Sequence, residues 1–464
     1  MENNDGITKR QLLGLMGAGA LGMAVSALGG CALKGQNGGG AEKLLELSAS
    51  LGQVTKRLNK RCGDNISLLG FGCMRYPTTA GPGGTQIIDE EMGQMLVDMA
   101  FAHGVNYFDT AWVYHDGKSE EFTGRALSKY PRKSFFVADK MPGYLVQSLD
   151  HAKQIFEEQL KRLRVDYFDY YLLHNLNKME LFQNVYEKMG VLDYLFEQKK
   201  KGRIRNLGWS FHGNSELFSY VLGLPRDWDF VQIQLNYHDW ELGPAVNDPK
   251  FPVTAKWMYE ELTERNIPVI IMEPLLGGNL ASLSRTADAV LKQALPEQSV
   301  ASWAYRFCGS LPNVACILSG MTYTEHLQDN ISTFAPFKEL SGDEHRTLAE
   351  ALRISQQGNG RVPCTGCRYC MPCPYGVDIP GIFRHYNKTI DEPGFAAKQR
   401  SPEYAAARRR YLLDYDRSFE ASAQADHCVG CGGCLRKCPQ QINIPAELTA
   451  IQKFTDKLRR QKIG

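Results

Sequence analysis

Gly104-Val105-Asn106-Tyr107-Phe108-Asp109-Thr110-Ala111 decides how most of this chain folds. A glycine ends the amphipathic stretch from Glu90 to His103, a short apolar run follows as a buried strand, and the run closes on a carboxylate. The same grammar recurs on both sides of it. Apolar cores bounded by turn residues lie at Leu68 to Gly72, Val105 to Phe108, Phe135 to Ala138, Phe168 to Leu173, Ile204 to Trp209, Phe230 to Leu235, Val269 to Met272 and Ala315 to Leu318. Helical periodicity fills the intervals at Ala152 to Leu163, Val185 to Lys200, Thr254 to Arg265 and Ala289 to Phe307. Eight strand-helix units predict the α/β class and a (β/α)8 TIM barrel. An open doubly wound sheet is disfavoured, because no Gly-x-Gly-x-x-Gly turn follows the first strand.

In such a barrel the chemistry sits just past the C-terminal ends of the strands. Asp109 ends the second strand and Tyr114 follows in its loop, while Lys140 closes the third strand and His174 the fourth. Together they suit carbonyl reduction. A phenol is a poor acid near neutral pH, its pKa being about 10. A neighbouring ammonium is expected to bring that value down, a carboxylate to hold the ammonium, and the histidine to orient the substrate oxygen.

Phe108-Asp109-Thr110-Ala111 with Tyr114, Ser119-Glu120 and Gly124 resembles the signature of aldo/keto reductases, and Lys140 and His174 sit where that family's other tetrad members belong. The resemblance covers roughly residues 60 to 340. It implies that Asp109, Tyr114, Lys140 and His174 are catalytic, and that the substrate is a small carbonyl or alcohol. It also implies an NAD(P) cofactor, with Ser210 and Gln234 at the nicotinamide carboxamide and Asn330 near the adenine. Phe211, Met272, Gly320 and His326 depart from the family pattern, which leaves NADP against NAD open.

Thirteen cysteines are present, and eight crowd into two runs, Cys364, Cys367, Cys370, Cys373 and Cys428, Cys431, Cys434, Cys438. The second run has the C-x2-C-x2-C-x3-C-P spacing of bacterial ferredoxins. Zinc also uses C-x2-C pairs, but unbroken runs of four with a trailing proline favour [4Fe-4S]. Crossed pairing puts Cys364, Cys367, Cys370 and Cys438 on one cluster, and Cys428, Cys431, Cys434 and Cys373 on the other. The first run has x2 before its last cysteine, so one cluster with spare thiols is the alternative. The intervening helices, Gly381 to Asn387 and Pro402 to Phe419, resemble those of a helical dicluster ferredoxin. Cys62, Cys73, Cys308 and Cys316 read as core thiols. The barrel opening Leu69-Gly70-Phe71-Gly72-Cys73-Met74-Arg75, the Met272-Glu273-Pro274-Leu275 strand end and the cysteine runs together resemble the ferredoxin-fused branch of aldo/keto reductases.

Lys9-Arg10 before a glycine-rich apolar stretch resembles a twin-arginine export signal, and Leu28-Gly29-Gly30-Cys31 resembles a lipobox. The expected organisation is a signal segment at 1–31, a linker at 32–60, the barrel at 61–345 and the ferredoxin-type domain at 355–464. The product is expected to be exported, periplasmic or tethered to the membrane through lipidated Cys31; a cytoplasmic protein is the alternative. A net charge of +2 gives no footprint for nucleic acid. The functional expectation is an oxidoreductase that exchanges electrons through its clusters with a redox partner protein or carrier. An electron-transfer or docking protein with a catalytically silent barrel is the rival.

Overall fold

The computed structural model describes residues 51–461 apart from 83–84, 243–252, 357–360, 391–392, 398 and 400. The segment read as an export signal, Cys31 included, lies outside the described residues.

Eight strands close into one barrel: β1 (Leu69–Gly72), β2 (Tyr107–Asp109), β3 (Phe136–Met141), β4 (Phe168–Leu176), β5 (Ile204–Phe211), β6 (Phe230–Gln234), β7 (Val269–Met272) and β8 (Val314–Ser319). They follow one another around the barrel in chain order, and every neighbouring pair is parallel. Each strand is covered on both faces, which is why the sequence shows continuous apolar runs instead of alternation; all nine residues of β4 are buried. Tyr107, Tyr170, Phe230, Ile270 and Cys316 belong to the cluster that fills the interior.

Local chemistry sets the helix starts. Ser148, Thr254 and Ser299 each accept a hydrogen bond from the backbone N–H three residues on, at helices Leu149–Leu163, Ala255–Glu264 and Val300–Gly309. Two expected helices are each broken in two. Gly190, at φ 76°, separates Phe182–Lys188 from Val191–Lys200. Pro296 and the capping Ser299 separate Arg285–Ala294 from Val300–Gly309.

Two expected domain boundaries shift. The end of the segment read as a linker is part of the barrel: Lys56–Leu58 pairs antiparallel with Asn65–Ser67, and the Arg57 guanidinium donates to the carbonyls of Leu311 at 3.1 Å and Val314 at 3.0 Å. At the other end, helix Gly342–Gln356 carries the barrel's outer layer past residue 345, with Leu348 and Ala351 in its core.

The C-terminal module has its own core, built on helices Ile379–Ile390, Pro402–Ser418 and Ile444–Arg460. Ile382, Phe383, Tyr411, Tyr415, Leu448 and Ile451 meet there. Among the described residues no helix is long and apolar enough to cross a membrane.

Candidate active site and cluster-binding module

The barrel mouth opens into a cavity of about 620 Å³ lined by Asp109, Tyr114, Lys140 and His174. Lys140 Nζ lies 2.6 Å from Asp109 Oδ1 and donates to the Thr110 carbonyl at 2.6 Å, both charged side chains being almost wholly buried. The same ammonium stands 5.0 Å from the centre of the Tyr114 ring. The rings of Tyr114 and His174 meet edge to face at 6.2 Å. His174 Nδ1 is 3.2 Å from the Tyr144 hydroxyl; with that hydroxyl as donor, Nε2 carries the imidazole proton and is the nitrogen available to a substrate oxygen.

The residues after Tyr114 hold this geometry from behind. Ser119 donates to the Cys73 carbonyl at 2.9 Å and meets Thr110 Oγ1 at 2.9 Å, fixing the end of β2. Gln159 bridges Glu120 and the Lys140 carbonyl, each at 3.0 Å, and Arg162 closes on Glu120 at 3.0 Å. The signature acid Glu120 therefore supports β3 and does not face the cavity.

Burial governs the ionisations. It raises the Tyr114 phenol well above its ordinary value, and the Asp109 charge adds to that effect. This reverses the expectation that Lys140 would lower it. Asp109 is in contact with the ammonium and offsets its field at the phenol. Burial also raises the Asp109 carboxyl, against the pull of Lys140. His174 is held well below its usual value by burial and by Lys140, so it stays a neutral donor.

From the tetrad the cavity runs past Ser210 and Met272 to Ser319 and Asn330. Ser210 Oγ accepts from the Asn175 backbone at 2.8 Å, and Asn330 donates to Ser319 Oγ at 2.9 Å. Gln234 stands apart from its expected place. It does not line the cavity: its amide is shared with Asp239 at 2.7 Å and with Gln440 of the C-terminal module. Gln232, two residues deeper on β6, lines the cavity instead, and its Oε1 is buried without a partner, as is Asn175 Oδ1. Two unsatisfied acceptors beside Ser210 fit the amide hydrogens of a nicotinamide carboxamide. Trp112, His115, Tyr237, His238 and Trp240, aromatics that could have walled a pocket, lie outside the lining.

The cysteines gather in the crossed arrangement. Cys364, Cys367, Cys370 and Cys438 surround one enclosed space; Cys373, Cys428, Cys431 and Cys434 surround a second, which Cys370 also borders. Gly366, Arg368, Gly430 and Gly432 have positive φ, the bends that let short loops wrap a cluster. Burial pushes the Cys367 and Cys370 thiols up to about 12, so each carries its proton at neutral pH until a bound metal displaces it. Four thiols per group, spaced around a void, fit a [4Fe-4S] cubane.

The first cysteine loop is pressed onto the barrel mouth. Arg75, from the turn after β1, donates to the Thr365 carbonyl at 2.8 Å, and Asn279 donates to the Cys364 carbonyl at 3.3 Å. Gly277 packs so closely on Thr365 that a methyl group there would overlap its backbone. Cys367, Tyr369 and Pro439 thereby become part of the cavity lining. Tyr369, which reads as a spacer between cysteines, reaches Tyr114: the two side chains line the same cavity with their hydroxyls in contact, and either hydroxyl can donate.

A barrel with this mouth, joined to a module of paired cysteine groups, defines an oxidoreductase with iron-sulfur electron transfer. The chain belongs to the aldo/keto reductase family, whose description matches residues 68–353, and a 4Fe-4S dicluster domain matches residues 363–443. L-galactose dehydrogenase of Arabidopsis thaliana is 26% identical over 314 residues, 63% of this chain and 91% of that protein. The uncharacterized oxidoreductase YqkF of Bacillus subtilis (strain 168) is 24% identical over 305 residues, 61% of this chain and 92% of that protein. Among solved structures, the holo form of aldo-keto reductase AKR11C1 from Bacillus halodurans is 21% identical, with a TM-score of 0.49, covering 64% of this chain and 96% of its own.

Proposed function

We propose that the barrel interconverts a small carbonyl and its alcohol, with Tyr114 moving the proton, and that the cysteine module links this reaction to a one-electron partner. The observation that carries the reading is the shared cavity: the tetrad and the cluster-ligand loop line the same space. A nicotinamide bound in that space would supply or accept a hydride, and [4Fe-4S] clusters held by the two cysteine groups would carry electrons singly.

The chain's own groups do the rest. Tyr114 gives its proton to the carbonyl oxygen, or takes it from the alcohol, and His174 Nε2–H holds that oxygen in place. The Lys140–Asp109 pair fixes the floor beneath the phenol. Ser210, Asn175 and Gln232 present the polar groups for a carboxamide. At the Asn330 end Glu325 and Asp329 line the cavity, while its cationic residues, Arg75 and Lys140, are engaged with Thr365 and Asp109. That charge pattern favours NAD over a 2'-phosphorylated cofactor.

The second cysteine group faces outward. Cys431 is exposed, and Val429 and Leu435 beside it are 61% and 41% exposed, a surface suited to a docking electron carrier. An exported, lipid-tethered location, read from residues 1–31, completes the proposal; cell fractionation with an antibody to the mature chain tests it, and an entirely cytoplasmic pool would refute it.

Tyr114→Phe is expected to lower kcat by about 100-fold or more, the usual size of general acid catalysis, with iron content unchanged. Unchanged turnover would remove the tetrad mechanism. A silent barrel serving as a docking platform is favoured by one observation: Met272, which departs from the family pattern, lines the cavity. Equilibrium binding separates the two readings: micromolar or tighter NADH binding supports the enzyme, and no binding supports the platform.

A further inference from the structure

We propose that the iron-sulfur module completes the active site: Tyr369, carried on the cluster-ligand loop, is the positioning residue for Tyr114 and one wall of the substrate pocket. This rests on the reading of Tyr114 as the proton-transfer group.

Three features place Tyr369 there by construction. It sits between Cys367 and Cys370, two thiols of one group, so the loop has little freedom once a cluster is bound. The loop is also held to the barrel from outside the cluster, by Arg75 on Thr365 and Asn279 on Cys364. Arg75 is itself held: its carbonyl accepts from Thr322 Oγ1 at 3.0 Å, and its aliphatic stem fills the space that a side chain at Gly320 would need. The Tyr369 ring then enters the barrel cavity beside the tetrad, where its hydroxyl meets that of Tyr114.

The chemical consequence follows from the donor inventory. A tyrosine hydroxyl offers one hydrogen and accepts on its oxygen. In the proposed arrangement Tyr369 donates to the Tyr114 oxygen, which leaves the Tyr114 hydrogen to point at the remaining open direction, the cavity in which a carbonyl oxygen would lie. Tyr369 thus orients the transferable proton and never touches it. The tetrad of an isolated barrel lacks this partner, so assembling the first cysteine group also assembles the active site.

The test uses the full chain, purified anaerobically with its clusters. 3-Fluorotyrosine placed at position 114 reports the phenol's surroundings by 19F NMR, and methylglyoxal and 4-nitrobenzaldehyde serve as small and aromatic carbonyl probes. Tyr369→Phe should move the fluorine resonance and lower kcat about tenfold, the size of one neutral hydrogen bond, while KM stays within about twofold. Tyr369→Ala should in addition shift preference towards 4-nitrobenzaldehyde. If Tyr369→Phe loses iron, the reciprocal experiment, fluorotyrosine at 369 read against Tyr114→Phe, keeps a phenol on the ligand loop and places the deletion in the barrel. An unchanged resonance overturns the proposal whatever the turnover, and so does a moved resonance with kcat unchanged in an active enzyme. A moved resonance in a protein that reduces neither probe, and that binds no NADH, would leave the contact standing and remove the carbonyl-reductase reading beneath it.

Discussion

Gln440 and Gln234 face each other amide to amide across the boundary between the cysteine module and the barrel: Gln440 Nε2 donates to Gln234 Oε1 at 2.9 Å, and Gln234 Nε2 returns a bond at 3.3 Å. Both are buried. A reciprocal pair of this kind satisfies itself only while the two domains stay docked.

Gln440→Ala should therefore cost about 1–3 kcal/mol, because it leaves the Gln234 carbonyl buried without a donor. Denaturant unfolding should show the loss. Adding Gln234→Leu should recover the part due to that stranded carbonyl, while giving up the Gln234 bond to Asp239. A double variant as unstable as the sum of the singles would contradict the pairing.

Lys140 and Asp109 predict a second asymmetry. Removing one member of a buried pair strands the other, so Lys140→Met should destabilise the barrel by about 3–5 kcal/mol, whereas Lys140→Met with Asp109→Leu should be milder. Calorimetric or denaturant midpoints of the two variants decide the matter.

The ionisations fix the pH profile. Reduction needs Tyr114 protonated, and burial holds its phenol above the ordinary value of about 10. His174 is depressed well below about 6.5, so it is already neutral in the neutral range. The kcat/KM for reduction should therefore be flat from about pH 6 to about pH 9. An inflection near 6.5 would mean that His174 titrates there and that its burial is incomplete.

The crossed cysteine groups give a genetic test. Cys364→Ser and Cys438→Ser should perturb the same cluster although they lie in different runs, and Cys373→Ser and Cys431→Ser should perturb the other. Electron paramagnetic resonance of the reduced variants, with about four irons at stake in each, reads this directly. Pairing within runs would group Cys364 with Cys373 instead.

All eight strands and the four tetrad positions were legible in the sequence, because parallel strands buried on both faces leave unbroken apolar runs and the barrel puts function at their ends. Gln234 was harder to place. Side chains two apart on a strand share a face, so Gln232 and Gln234 look equivalent until the depth of the cavity and the module above it are known. Pro296 and Ser299 did signal the broken helix, but the apolar periodicity on either side ran through them. Tyr369 was hidden for a different reason: a residue between metal ligands reads as a spacer, and only the docked loop shows where it points. Sequence spacing shows the Lys140 ammonium beside Tyr114 but not its contact with Asp109, and an ion pair has less field at the phenol than its ammonium alone.

Whether the barrel and the clusters form one redox unit is read most directly from the visible spectrum of the anaerobically purified protein before and after adding NADH. About eight irons per chain are expected, with cluster absorbance that bleaches on adding NADH and no bleaching in a variant whose cavity cannot accept a dinucleotide, such as Ser210→Trp. Full iron content with a spectrum indifferent to both NADH and NADPH would contradict the coupling and leave the barrel as a platform for the clusters.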